Sequence, residues 1–182
     1  MNTLNSFEIG ILHSLHDALQ CTFLDTIMPI ITRLANSGIF WIMLALLLLF
    51  FKKTRRAGIT MGIALILGLV FGNLLLKPLI ARVRPYDFDP SIILLIPKEK
   101  DFSFPSGHTL ASFEGAVSLI LYHKKSGAAA VVLAGLIAFS RLYLMVHYPL
   151  DVITGVILGT AFAIIASGIA DILIKKVSIP VI

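Results

Sequence analysis

The stretch AGITMGIALILGLVFGNLLLKPLI, residues 57–80, decides the fold. Lys77 is its only charged side chain. Apolar residues run through it without the strict alternation of a strand, so its period is helical. At 1.5 Å per residue the helix reaches about 36 Å, enough to cross a hydrocarbon core of roughly 30 Å. Gly58, Gly62, Gly68 and Gly72 give it small surfaces against which other spans can pack closely.

The composition agrees with a membrane-embedded chain. Of 182 residues, 58% are hydrophobic and 14% charged, and the mean hydropathy is +0.96. A soluble domain of this size exposes too much surface to hide so many apolar residues. An all-α, polytopic membrane bundle is therefore expected, because only helices or closed barrels satisfy every backbone polar group in lipid. One domain over residues 1–182 accounts for the length. No Lys or Arg precedes Arg33, so the basic start of a signal peptide is not expected.

Working outward, residues 107–122, 127–146 and 149–173 read as further spans. The run 39–51 alone covers about 20 Å, so it either extends back past Asn36-Ser37-Gly38 or pairs with a short preceding helix. Residues 81–104 read as a polar loop interrupted by SIILLIP, residues 91–97, a lid dipping into the outer leaflet or a loop helix on the core. Residues 5–20 place Phe7, Ile11, Leu15 and Leu19 four apart, with Ile9, Leu12 and Ala18 widening that stripe and Glu8, His13, His16, Asp17 and Gln20 largely off it. This predicts an amphipathic interfacial helix. His13 and His16 could form a metal pair, but a solvated polar face is the simpler reading. In total, about five to six spanning helices and one interfacial helix are expected.

The net charge of +5 and pI near 9.5 would suggest nucleic acid in a soluble protein. In a membrane chain they read as topology signals and lipid anchors, with no nucleic-acid partner. The loops 52–56, 123–126 and 175–176 carry eight Lys and Arg residues and no acids. Alternating spans put all three on one side, the cytoplasmic side by the positive-inside rule. The 81–104 loop and the 147–149 turn then face outward. Cys21 is the single cysteine, which excludes an internal disulfide and a Cys-rich metal site.

A cluster of chemistry gathers on the outer side: Lys77, Arg84-Pro85, Ser106-Gly107-His108, Ser140-Arg141, His147 and Asp151. Arg82 alone reads as a snorkelling anchor. Anchors do not call for two histidines, or for an acid four residues after one of them. Lys and Arg can clamp the oxygens of a phosphate. Pro105-Ser106-Gly107 would sit at a helix N-terminus, which favours an anion, although Ser106 could also simply cap that helix. One histidine can attack phosphorus while the other protonates the leaving oxygen. Asp151 lies within reach of His147, making His147 the better nucleophile and His108 the acid. Glu114, inside a span, is either a functional acid that positions a catalytic cation or faces the lipid cleft, or a packing partner for a neighbouring helix.

These residues form K-x6-R-P (77–85), P-S-G-H (105–108) and S-R-x5-H-x3-D (140–151). Together they resemble the three signature motifs of the type 2 phosphatidic acid phosphatase family, shared with vanadium haloperoxidases and bacterial acid phosphatases. The likeness covers residues 77–151 with no departure at a motif position. It implies a metal-independent phosphatase with a six-helix core, a phosphohistidine intermediate and no cofactor. By the same resemblance His147 is the nucleophile, Asp151 its partner and His108 the acid, while Lys77, Arg84, Ser106, Gly107 and Arg141 bind phosphate. The expected partner is a lipid phosphate within membrane lipid. Undecaprenyl diphosphate comes first, with phosphatidylglycerophosphate and phosphatidic acid as alternatives. A lipid phosphotransferase and a non-catalytic lipid binder or transporter stay open.

Overall fold

The structure is a computed structural model that describes residues 2–177. Its elements are helical throughout the described residues. The order is α1 (Asn2–Leu19), α2 (Thr22–Arg33), α3 (Ile39–Phe50), α4 (Arg55–Leu67), α5 (Lys77–Ile80), α6 (Pro85–Phe88), α7 (Gly107–Ile120), α8 (Lys124–Tyr143) and α9 (Pro149–Val177). A π-helical segment, Gly68–Leu76, joins α4 to α5 without a break.

Among the described residues, three segments are long and apolar enough to cross a membrane: Arg55–Phe88, Lys124–Tyr143 and Pro149–Lys176. A fourth candidate is the bent pair Thr22–Arg33 and Asn36–Phe50, which turns by 41°. The run 39–51 therefore pairs with a short preceding helix. The bend sits at Asn36–Gly38, where Ser37 and Gly38 take left-handed φ values of 53° and 65°. Expected as a span of sixteen residues, 107–122 is a helix of 14 residues, about 21 Å long. It is also central: α3, α4, α8 and α9 all pack around α7.

Close approach makes this burial possible. A Cβ on Gly159 of α9 would lie 2.7 Å from the Leu110 carbonyl oxygen of α7. A side chain there would push the two helices apart and open a cavity. Trp41 of α3 is fully buried, and its indole N–H donates to Ser112 Oγ of α7 at 3.1 Å. On the α4 side, Gly58, Gly68 and Gly72 meet neighbours as the sequence predicts, while Gly62 has open space beside it.

At the end carrying the basic loops, Arg56 pairs with Asp171 at 2.6 Å and lies over the Tyr122 ring. The turns after α3, between α7 and α8, and near the end of α9 thus share one end of the bundle.

Two expectations change near the N-terminus. In α1, Phe7, Ile11 and Leu19 do face outward, but Glu8 is not on a solvated face. It is buried with Asn5, Ile9 and Leu12, which turn toward the protein. His13 and His16 do not form a pair. His13 Nε2 bonds Asp89 at 2.8 Å, and His16 rests on the Tyr143 ring. The 81–104 loop contains the short helix α6, and its SIILLIP run is not helical. Ile92 is buried, with Leu94 and Ile96 against the same cluster, while Ile93 and Leu95 point out. The run alternates and seals one face of the core.

Candidate active site

Four parts of the chain deliver the site to the end of the bundle opposite the basic loops. The π-helical segment carries Asn73 and leads into Lys77, the first residue of α5. Ala81 then turns the chain at a left-handed φ of 46° and sends Arg82 and Arg84 inward, where both are buried. A second left-handed residue, Met145 at φ 52°, lies two before His147. Each such non-glycine residue costs on the order of 1 kcal/mol, and such strain concentrates at functional sites. The remaining parts are the start of α7 and the start of α9.

His147 is 1% exposed. Its Nδ1 faces Asp151 Oδ2 at 3.5 Å, with Ser103 Oγ 3.4 Å away. Ser103 Oγ donates to Asp151 Oδ2 at 2.5 Å, as does the backbone N–H of Tyr148 at 3.0 Å. The other ring nitrogen, Nε2, is 3.4 Å from Arg84 Nη1. Burial, and then the positive charges of Arg84, Arg141 and Lys77, hold His147 well below the usual histidine range. That direction favours the neutral ring, whose Nε2 lone pair faces Arg84.

The three cations expected to clamp phosphate converge here. Arg84 donates to the Val146 carbonyl oxygen at 2.8 Å and to the Asp101 carbonyl oxygen at 2.8 Å. Arg141 donates to Thr32 Oγ1 at 2.6 Å. Two loop carboxylates meet these cations: Asp101 pairs with Lys77 and Arg84, and Glu99 with Arg141 and Arg84. Burial opposes ionisation of both acids. For Glu99, Arg141 leads the cations that outweigh it, and for Asp101 it is Lys77, holding each carboxyl down at about 2.

At the start of α7, Ser106 is the cap: its Oγ accepts from Thr109 Oγ1 at 3.0 Å and, at 3.5 Å, from the Thr109 N–H. Gly107 lies against Asn73, where a Cβ would come within 3.0 Å of Asn73 Oδ1. His108 Nε2 is 3.0 Å from Asn36 Oδ1.

Two cavities meet at His108 and Glu99. One, of about 520 Å³, runs from Lys77, His108 and His147 between α3, the π-helical segment and α7, past Ile42, Leu65 and Leu69. The other, of about 390 Å³, is walled by Arg33, Lys98 and Arg141. Glu114 lines the deep end of the first. It is 1% exposed, packs against Gly68, and its Oε1 has no hydrogen-bond partner among the described residues. Among the described residues no three His, Cys, Asp or Glu side chains are grouped to hold a metal ion.

All eight sequence-predicted residues thus lie in one neighbourhood. Ser103, Asn73, Glu99, Asp101 and Arg82 share it and were not predicted. Arg82 is no lipid anchor: it is 3% exposed and bonds Asp151 at 2.7 Å. Its place beside Arg84 in the first motif was the one available signal.

The family model described as the PAP2 superfamily matches residues 57–173. An undecaprenyl-diphosphatase of Sulfolobus acidocaldarius is 39% identical over 142 residues, 78% of this chain and 68% of that protein. Among solved structures, LpxE of Aquifex aeolicus superposes with a TM-score of 0.76 at 28% identity, over 86% of this chain and 92% of that one. A PAP2-type phosphatidylglycerolphosphate phosphatase from Bacillus subtilis gives 0.74 at 28% identity, over 94% and 88%.

Proposed function

The chain belongs to the PAP2 superfamily of phosphatases, and on that premise we propose that it releases phosphate from a lipid diphosphate at the outer face of the membrane. One observation carries this reading. A buried His147 stands among Lys77, Arg84 and Arg141 at the mouth of an apolar-walled cavity. The cations hold a phosphate, and the apolar wall takes a lipid chain.

In the proposed mechanism, His147 Nε2 attacks phosphorus in line with the lipid-side oxygen. The N–P bond forms as the P–O bond breaks, and His108 gives its proton to the departing oxygen. Asp151 holds the Nδ1 proton and stabilises the cationic ring. Lys77, Arg84, Arg141 and the backbone N–H groups at the start of α7, Ser106 and Gly107 included, spread the charge of the equatorial oxygens. His108 then takes a proton from water, whose oxygen attacks phosphorus and frees His147. Glu99 and Asp101 occupy the cations until substrate displaces them.

Undecaprenyl diphosphate is the preferred substrate of this reading. The sequence likeness to an undecaprenyl-diphosphatase supports it, as does the second, basic cavity with Arg33 and Lys98 beside His108, where another phosphate fits. Phosphatidylglycerophosphate is second, from the likeness to the Bacillus subtilis phosphatase. The orientation follows from the basic loops. If the bent α2–α3 pair and α7 also cross, five spans place loops 52–56 and 123–126 and the end of α9 in the cytoplasm. Residues 1–182 then act as one membrane domain.

The test is phosphate release by purified protein in detergent with EDTA. Undecaprenyl diphosphate, phosphatidylglycerophosphate and phosphatidic acid are offered side by side, with His147→Ala as control. Release from the diphosphate that disappears in the variant supports the reading. Turnover that needs an added lipid acceptor and leaves the phosphoryl group on it makes the chain a phosphotransferase, and lipid movement without release makes it a transporter.

A further inference from the structure

Arg82 is a buried cation that the mechanism above leaves unused. Its Nη1 donates to Asp151 Oδ1 at 2.7 Å. Its Nη2 donates to Asn5 Oδ1 at 2.7 Å and to Glu8, and its Nε to Asn5 Oδ1 at 3.1 Å. The guanidinium lies 3.8 Å from the centroid of the Tyr148 ring. Glu8 is held in turn, since its Oε1 accepts the Leu150 N–H at 2.7 Å. All three charged side chains are 5% exposed or less.

The geometry divides Asp151 in two. Oδ1 belongs to Arg82, whereas Oδ2 takes Ser103 and the Tyr148 N–H and faces His147. A carboxylate gripped at one oxygen cannot rotate, so the other keeps its aim at the imidazole. The grip is electrostatic as well. In a site with little water, a cation beside Asp151 weakens the pull of that carboxylate on a proton at His147. Glu8, on the far side of Arg82, partly cancels this effect. The other charges facing His147 are Arg84, Arg141, Lys77 and Glu99.

We propose that Arg82, braced by Asn5 and Glu8 of α1, is a positioning residue that aims Asp151 at His147 and tunes the proton affinity of that pair. The N-terminal helix is then a working part of the active site, not only a membrane-surface helix. The inference rests on the reading of His147 and Asp151 as the nucleophile and its partner.

Phosphate release against pH tests it, with wild type, Arg82→Gln, Arg82→Lys, Glu8→Gln and His147→Ala compared in detergent. Arg82→Gln should lower kcat by about 10- to 100-fold, the scale on which loss of an orienting partner acts, with KM within about 3-fold. It should move the acid limb of kcat/KM to higher pH, because losing a cation lets His147 keep its proton. Glu8→Gln should move that limb to lower pH. Arg82→Lys should restore the limb but not the full kcat, since an ammonium cannot reach Asp151, Glu8 and Asn5 together.

Opposite movement of the two limbs is the decisive result, because a purely structural role would not produce it. If Arg82→Gln does not fold, Glu8→Gln decides, and an unmoved limb overturns the proposal. Wild-type kcat and limb in Arg82→Gln, or a rise in KM alone, overturn it while His147→Ala is inactive. If wild-type release does not depend on His147, the reading of the mechanism and this inference fall together.

Discussion

Both ends of the bundle are rich in Lys and Arg, yet they treat charge differently. At the end bearing His147, Lys77, Arg82, Arg84 and Arg141 are all buried, and each reaches a carboxylate. At the other end, Arg56 and Asp171 pair with their side chains 45% and 38% exposed, and Lys52, Lys53, Lys124 and Lys125 lie on the surface. The same residue types are a costly, pre-organised cluster in one place and a solvated rim in the other. Burying four cations costs several kcal/mol each unless partners are supplied. Glu8, Glu99, Asp101 and Asp151 are those partners, and on the proposed function a substrate phosphate takes over from two of them.

The sharpest way to break this comparison is His147→Ala, which should lower turnover by about 10⁴-fold or more in a folded protein. Asp151→Asn should follow closely, because the ring loses its fixed tautomer. Arg84→Ala should lower kcat by roughly 10²- to 10³-fold, the cost of removing one preorganised donor to a developing oxyanion. Substantial turnover in any of these variants would mean that the buried charge is structural.

Acid should separate the two ends next. Glu99 and Asp101 are held down at about 2, against ordinary values of 4.5 and 3.8. Because the unfolded chain takes up protons first, the stability these pairs provide is complete above those ordinary values and is lost as the pH falls toward 2. Unfolding temperature in detergent should therefore drop between pH 5 and pH 3, and drop less in Asp101→Asn. A parallel fall in both proteins would contradict the pairing. Asp101→Asn should also tighten inhibition by vanadate, a phosphate mimic, by up to about 5-fold, since it removes a competitor for Lys77 and Arg84. The smallest effect belongs to the rim: Arg56→Gln should change stability by no more than about 0.5–1 kcal/mol and leave turnover unchanged.

Orientation gives a further check. In a Cys21-free background, a cysteine at Ser91, which is exposed, should react with an impermeant thiol reagent from outside the cell. Labelling only from the cytoplasmic face would invert the proposed topology.

Hydropathy and motif spacing carried far in this chain. A run such as 57–80 must be helical in lipid, so the sequence specified the class and the main long segments. Lys77, Arg84, Ser106, Gly107, His108, Arg141, His147 and Asp151 could be named because their spacing repeats helix ends at one membrane level. Span lengths were less legible. The helix Gly107–Ile120 is short and central, and hydropathy cannot tell a residue facing protein from one facing lipid.

What the linear chain could not express is pairing across long separations. Glu8 and Arg82 are 74 residues apart, and Arg82 and Asp151 are 69 apart. Each alone fits a helix face or a membrane anchor, and Ser103, Glu99 and Asp101 alone fit a polar loop. The sequence determined a helical membrane phosphatase and the motif residues that gather at one end of it, because chemistry and lipid each demand particular residue types at short range. Only the tertiary structure decided which buried charges answer one another. That choice depends on where the turns at Ala81 and Met145 aim the side chains and on how closely α1, α7 and α9 approach.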